Sequence, residues 1–146
     1  MSQQLIGNPE APYPSVEKPA VGDIIHLPTG VNVTAEQMQA ALTDARIIYV
    51  GETHDNPAAH RLQLQLLQAV AARYPGQVSV GMEMFNPTQQ EVLDRWVAGE
   101  LDEKAFLKEV NWFSSWKLDF AYYAEILRFA RESQIPVIGL NATREM

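Results

Sequence analysis

The sequence contains no cysteine, which excludes disulfide bonds, thiolate metal sites and cysteine nucleophiles. It also has no apolar run that approaches the about 18 residues required by a membrane-spanning helix. Positive charge is scarce, because 11 Lys and Arg residues stand against 18 Asp and Glu residues, for a net charge of -7. A negative field repels phosphate backbones, so nucleic acid is not expected as a partner.

Several common functional motifs are also missing. The signatures G-x-G-x-x-G, G-x-x-x-x-G-K-[ST] and G-x-S-x-G do not occur, so nucleotide binding and serine hydrolysis lack support. The 146 residues, 47% hydrophobic and 20% charged, are instead typical of one globular domain. Residues 1–22 hold four prolines among polar residues and are expected to form an extended or mobile lead-in. Residues 23–146 are expected to form the folded domain.

Hydrophobic periodicity predicts strands and helices in alternation. A hairpin is expected at residues 23–27 and 31–33, further strands at 46–50, 77–82 and 135–140, and helices at 34–43, 57–74, 87–98, 103–110 and 119–133. This order predicts an α/β fold with a parallel sheet and helices on both faces, because parallel neighbours need crossover connections. The sequence ends six residues after the third main strand. The sheet is therefore expected to be truncated there, and a homo-oligomer is expected to cover its open edge or face.

Polar side chains follow each of the three main strands. Glu52 and His54 follow the first strand, Glu83 follows the second, and Asn141 and Arg144 follow the third. Because the carboxyl ends of parallel strands lie at one edge of a sheet, these residues are expected to converge. An imidazole with two carboxylates suits a divalent metal such as zinc, or general acid–base work. Alternatively, Glu52 and His54 only cap the following helix.

The surroundings of the charged groups leave further alternatives open. Glu83 is flanked by apolar residues, so its carboxylate is expected to be paired or neutral. Arg61 and Arg144 are its candidate partners, in a catalytic site or in a purely structural ion pair. His26 and His60 are expected to be ordinary satisfied or solvated histidines, with His60 on an exposed helix turn.

Aromatic residues concentrate between residues 112 and 123: Trp112, Phe113, Trp116, Phe120, Tyr122 and Tyr123. One interpretation is that they line a planar ligand, with Tyr122 or Tyr123 as an axial ligand of ferric iron. The alternative is packing in the core or at an interface. Nothing in the sequence places this stretch and the polar cluster in one site.

Three segments resemble, in the same order, the ChaN-like family of haem-binding, iron-regulated uptake proteins. They are residues 47–56 (IIYVGETHDN), 80–85 (VGMEMF) and 139–142 (GLNA), and the resemblance extends from about Asp23 to the last residue. It implies haem as the ligand, a role in bacterial iron acquisition, and Glu52, His54 and Glu83 as site residues. Asn141 and Arg144 are then candidates to orient a haem propionate.

The wider superfamily that this resemblance implies includes erythromycin esterases, TraB-like proteins and Tiki metalloproteases. Their Gly-x-x-His signature is similar to residues 51–54, which implies an alternative function as a hydrolase with His54 as base or metal ligand. Family members are longer, so the chain is expected to be the N-terminal half of a family domain. Many are bacterial lipoproteins, which implies a location in the cell envelope, with membrane attachment only through a lipid anchor outside this sequence.

A third hypothesis is that the chain is a non-catalytic interaction fragment that pairs with another copy of itself.

Overall fold

The computed structural model describes residues 19–42 and 45–143. The chain divides into two compact units, the first ending at Tyr49 and the second beginning at Val50. Most of the lead-in expected at residues 1–22 lies outside the described residues. Its separation from a domain at residues 23–146 stays a prediction.

The first unit contains the predicted hairpin and the first helix. Strands β1 (Ile24–His26) and β2 (Val31–Val33) pair antiparallel, and helix α1 spans Ala35–Leu42. The helix begins with a capping box, in which the Gln37 N–H donates to Thr34 Oγ1 at 3.2 Å. The Thr34 N–H donates to Gln37 Oε1 at 2.9 Å in return. The predicted hairpin and helix start are confirmed.

The second unit alternates helices with two parallel strands. Its elements are α2 (Pro57–Arg73), β3 (Val80–Met82), a 3-10 turn (Pro87–Gln89), α3 (Gln90–Val97), α4 (Glu103–Glu109), α5 (Trp112–Ser115), α6 (Ala121–Glu132) and β4 (Val137–Gly139). Strands β3 and β4 pair in parallel with Gly81 opposite Ile138. The predicted α/β class is confirmed. No helix within residues 19–42 and 45–143 is long and apolar enough to cross a membrane.

The strand predicted at residues 46–50 is wrong. These residues have no strand assignment, and the parallel sheet of the described chain consists of β3 and β4. The side chains of Ile47 and Tyr49 are largely exposed. A strand needs a neighbouring backbone with which to exchange hydrogen bonds, and an apolar composition does not supply that neighbour. Residues 112–116, where no helix was expected, contain the short helix α5.

Helix starts in the second unit follow their sequence signals. Asn56 caps α2 by accepting the Ala58 N–H at 2.9 Å, and Asp102 caps α4 by accepting the Ala105 N–H at 2.7 Å. Asn86 forms a capping box at the 3-10 turn that leads into α3. Side-chain caps of this kind satisfy backbone donors that have no partner inside the helix. The helical starts predicted at residues 57, 87 and 103 are confirmed.

An aromatic core holds the second unit together. Its largest fully buried side chains are Trp96, Trp112, Tyr123, Phe85 and Phe106. The indole N–H of Trp96 donates to the carbonyl of Leu127 at 2.9 Å, so the polar atom of this buried ring is satisfied. On α2, Leu66 is buried while Leu62 is exposed. The aromatic residues therefore contribute more to the core than the leucines of α2.

The outer edge of β4 is covered by one side chain. The Gln90 side chain donates from Nε2 to the Val137 carbonyl at 2.8 Å and accepts the Gly139 N–H at Oε1, at 3.2 Å. Beyond the strand, the backbone N–H of Leu140 donates to Met82 at 3.1 Å. The Gln90 amide thus occupies the position of a neighbouring strand. These bonds hold the carboxyl ends of β3 and β4 together, where Glu83 follows.

Candidate functional site

The structure brings Glu52, His54 and Glu83 together. The Nδ1 atom of His54 lies 2.7 Å from Glu52 Oε1 and 3.7 Å from Glu83 Oε1. One ligand atom from each residue lies within 4.8 Å of the others, a separation that a single metal ion can bridge. Of these three residues, only Glu83 directly follows a strand. Glu52 is held beside it by contacts with Gln63 on α2 and Tyr123 on α6.

Glu52 is the buried member of this cluster. Its side chain is 4% exposed, and Oε1 accepts hydrogen bonds from His54 Nδ1 and from the hydroxyl of Tyr123, the latter at 2.9 Å. The other oxygen, Oε2, accepts from Gln63 Nε2 at 2.9 Å. Burial by itself raises the pKa of Glu52. The hydrogen bonds outweigh burial, so the pKa lies below its ordinary value and the carboxylate is ionised at neutral pH.

His60 belongs to the same network, and the prediction that it lies on an exposed turn is wrong. The residue is 5% exposed, and its Nδ1 lies 3.2 Å from both Glu52 Oε2 and Gln63 Oε1. Its Nε2 lies 3.0 Å from the carbonyl oxygen of His54. The sequence contained one signal for the place of His60 in this network. Residues three apart on a helix share a face, and Gln63, three residues after His60, is also polar.

The aromatic stretch and the polar cluster form one site. The rings of Trp116 and His54 meet edge to face, with centroids 4.9 Å apart at 75°. Tyr122 stacks on His60, with centroids 5.5 Å apart at 24°. The hydroxyl of Tyr123 also donates a hydrogen bond to Glu52. These contacts place α6 and Trp116 beside the first turn of α2 and the carboxyl end of β3.

Tyr123 is the most deeply buried aromatic residue of the site. Its side chain is fully inaccessible and its hydroxyl donates to Glu52. Burial raises the pKa of the Tyr123 phenol, and the negative charges of Glu52 and Glu83 raise it further. The phenol therefore stays protonated and acts as a donor.

Glu83 is more exposed than its apolar neighbours suggest, and of the two states expected for its carboxylate, paired or neutral, the contact with His54 corresponds to the paired one. Its side chain is 57% exposed, while Met82 and Met84 on either side are buried. Glu83 lies in a turn that begins after Met82, in which the Phe85 N–H donates to the Met82 carbonyl at 3.5 Å. Within the described residues, its recorded ion-pair contact is with His54 rather than with Arg61.

The remaining predicted residues have simpler surroundings. Asn141 is exposed, and its backbone N–H donates to the carbonyl of Phe85 at 2.8 Å. Arg144 lies outside the described residues. The Nδ1 atom of His26 lies 2.7 Å from Thr29 Oγ1, which agrees with an ordinary satisfied histidine.

This geometry defines an α/β protein with an accessible imidazole at the carboxyl end of a parallel sheet, held by a buried carboxylate and flanked by aromatic rings. Residues 38–146 match the model of the family described as haem-binding uptake, Tiki superfamily, ChaN, and the chain belongs to that family. The family resemblance seen in the sequence is confirmed.

One solved structure is similar to this fold. It is ChaN of Campylobacter jejuni, described as showing cofacial heme binding, with a TM-score of 0.72 and 23% sequence identity. The match covers 84% of this chain and 49% of that one, so the chain spans about half the length of the relative. Among curated proteins, no match is found.

Proposed function

We propose that this protein binds haem for bacterial iron acquisition, in uptake or transfer rather than in catalysis. Family membership and the haem bound by the Campylobacter jejuni relative support this function. The observation that carries it is the accessible His54 imidazole, whose side chain is 46% exposed between Glu83 and the ring of Trp116. Imidazole is an established ligand of haem iron, and aromatic rings suit contact with a porphyrin.

The residues around His54 fit such a ligand. Trp116 and Tyr122 are half-buried, so each presents part of its ring to solvent. Glu83 supplies an exposed carboxylate beside the imidazole. Asn141 and Arg144 are proposed, from their place after β4, to pair with the propionates.

We propose that the iron ligand is one of three residues, His54, Tyr122 or Tyr123. Ligation by the Tyr123 phenolate requires loss of a proton that is held against Glu52 and exposure of a fully buried side chain. Tyr122 is half-buried and meets His60 through its ring, which makes it the better tyrosine candidate. His54 is the most accessible of the three.

A haemin titration followed by Soret absorbance tests the function. Saturable binding at about micromolar concentration is expected for the wild type. His54→Ala should weaken binding, whereas His26→Ala, which removes a histidine from the first unit, should not. Absence of any saturable change in the wild type would refute haem binding.

A second candidate function is a metal- or histidine-dependent hydrolase that uses Glu52, His54 and Glu83. The observation that favours it is the convergence of their ligand atoms within 4.8 Å. Zinc or another divalent ion would hold a water molecule for attack on an ester or amide. Near-stoichiometric metal in the purified protein, lost in His54→Ala together with hydrolysis, would favour this candidate. Haem binding by a metal-free protein would count against it.

We further propose that the protein assembles with a second copy and acts in the bacterial cell envelope. Ile138 and Leu140, which are exposed on one side of β4, support the assembly by leaving apolar surface uncovered. Light scattering after size exclusion should give the mass of a dimer, and a monomeric mass would contradict this part. The proposed location in the cell envelope rests on the family alone. Fractionation of the native host tests it, and we expect attachment to the membrane to be lost when the lipid anchor is removed.

A further inference from the structure

A small pocket lies between the first turns of α2 and α6, and we name it the α2–α6 pocket. Seven residues from these two helices line it: Pro57, His60, Arg61, Ala121, Tyr122, Glu125 and Ile126. Its volume is about 250 Å³. Because one water molecule takes about 30 Å³ of the liquid, this volume corresponds to about eight waters. The pocket therefore has room for a ligand of the size of a free amino acid and is far too small for a porphyrin.

Three polar side chains line the α2–α6 pocket, from Arg61, Tyr122 and Glu125. Within residues 45–143, no hydrogen bond or ion pair is recorded for the guanidinium of Arg61, the hydroxyl of Tyr122 or the carboxylate of Glu125. Arg95 and Arg128, by contrast, each pair with a carboxylate at 2.6 Å. A guanidinium, a phenol and a carboxylate thus line one pocket with their hydrogen-bonding capacity open to a ligand.

The ring of Tyr122 is held in place by buried neighbours. It stacks on His60, with centroids 5.5 Å apart at 24°. His60 is itself fixed, because its Nδ1 lies 3.2 Å from Glu52 Oε2 and its Nε2 lies 3.0 Å from the carbonyl oxygen of His54. Ile126, which is 5% exposed, adds an apolar surface. A wall that is ordered before binding reduces the entropy lost when a ligand binds.

The backbone donors at the two helix ends are already occupied. The Ala58 N–H at the start of α2 donates to Asn56 Oδ1 at 2.9 Å. The Ala121 N–H at the start of α6 donates to Asp119 Oδ1, also at 2.9 Å. Recognition of a ligand in the α2–α6 pocket therefore depends on the side chains.

The charges of the pocket favour a ligand that carries both signs. A guanidinium binds a carboxylate through two parallel N–H···O bonds, and a phenol can donate a third. A carboxylate such as that of Glu125 accepts hydrogen bonds from an ammonium group. A simple anion would be repelled by Glu125 and a simple cation by Arg61, whereas a zwitterion satisfies both residues.

We propose that the α2–α6 pocket binds a free α-amino acid with an apolar side chain. Arg61 and the hydroxyl of Tyr122 hold the ligand's carboxylate, and Glu125 accepts from its ammonium group. Pro57 and Ile126 contact its side chain. This inference goes beyond haem binding and does not depend on it. Because ion pairs at exposed positions contribute little, we expect a dissociation constant of about 0.1–1 mM.

Proton–nitrogen NMR spectra of the full chain, titrated with glycine, L-leucine and L-phenylalanine, test the site. We expect saturable shifts of the backbone amide signals of residues 58–61 and 121–126, with glycine the weakest of the three ligands. L-Leucinamide, which lacks the carboxylate, and 4-methylpentanoate, which lacks the ammonium group, should each bind about fivefold more weakly than L-leucine. Absence of a saturable shift with all three amino acids up to about 20 mM would overturn the inference. Equal binding of L-leucine and 4-methylpentanoate would also overturn it, because the pocket would then accept any carboxylate.

Two variants assign each charge of the pocket to its part of the ligand. Arg61→Gln should weaken L-leucine binding about fivefold and remove the preference for L-leucine over L-leucinamide. Glu125→Gln should remove the preference over 4-methylpentanoate. Arg73→Gln and Glu132→Gln are the matched controls, because they make the same charge changes at the far ends of α2 and α6 and should leave binding unchanged. A preference that survives in its variant, or an equal loss of binding in the controls, would contradict the proposal.

Discussion

At the scale of single residues, the hydroxyl of Tyr123 is the contact most open to a clean test. Tyr123→Phe keeps the ring in the core and removes the donor that lies 2.9 Å from Glu52. A hydrogen bond to a charged group contributes about 1.5–3 kcal/mol, so we expect the free energy of unfolding to fall by about that amount. Urea denaturation monitored by fluorescence measures the change.

The control for this variant is the neighbouring tyrosine. Tyr122→Phe keeps the ring that stacks on His60, so we expect a change within about 0.5 kcal/mol. Equal effects of the two substitutions would show that the bond from Tyr123 to Glu52 contributes nothing of its own.

Glu52 and Tyr123 also predict how stability depends on pH. Folding lowers the pKa of Glu52 from 4.5, so its contribution is complete above that value and is lost as the pH falls through the lower folded pKa. Folding raises the pKa of Tyr123 from 10.0, so its contribution is complete below that value and is lost as the pH rises through the higher folded pKa.

Urea midpoints measured from acid to alkaline pH test both signs. Stability should decrease below about pH 4.5 in the wild type and less steeply in Glu52→Gln. In Tyr123→Phe, stability should decrease less at alkaline pH than it does in the wild type. An acid limb that is unchanged in Glu52→Gln would contradict the role given to this carboxylate.

At the scale of elements, the packing of β4 against the 3-10 turn that precedes α3 depends on a glycine. A Cβ at Gly139 would lie 2.6 Å from the carbonyl oxygen of Asn86, which is backbone in a capping box and cannot turn away. We expect Gly139→Ala to lower the free energy of unfolding by about 1–3 kcal/mol, as overpacking does. Thermal and urea unfolding measure it.

Gly81 on β3 supplies the matched comparison. A Cβ there would lie 2.5 Å from Cδ1 of Leu140, the end of an exposed and flexible side chain. Gly81→Ala should therefore cost less than about 1 kcal/mol. If Gly81→Ala proves as destabilising as Gly139→Ala, the backbone of Asn86 is not the obstacle.

At the scale of the whole molecule, the net charge of -7 predicts the absence of one class of partner. Fluorescence anisotropy with a labelled DNA or RNA oligonucleotide should show no saturable binding at about 0.15 M salt. Lower salt should not uncover binding, because like charges then repel more strongly. Saturable binding that weakens as salt is added would contradict this prediction.

Much of the fold follows from local sequence. The caps at Asn56, Asn86 and Asp102 are predictable because a side chain and the backbone N–H that it accepts lie within three residues of each other. The strand expected at residues 46–50 is not predictable in this way, because pairing depends on a neighbour distant in sequence. Residues 47–50 are apolar and yet remain unpaired in the described structure.

The sequence by itself determined that Glu52, His54 and Glu83 follow apolar segments and that helices begin beside capping residues, since periodicity and capping signals act over a few residues. Only the tertiary structure decided that Glu52 is buried and Glu83 exposed, and that His60 joins the site. The bond from Tyr123 to Glu52 joins residues 71 positions apart. Burial and hydrogen-bond partners at that separation depend on how α2 and α6 pack, and local sequence patterns do not specify that packing.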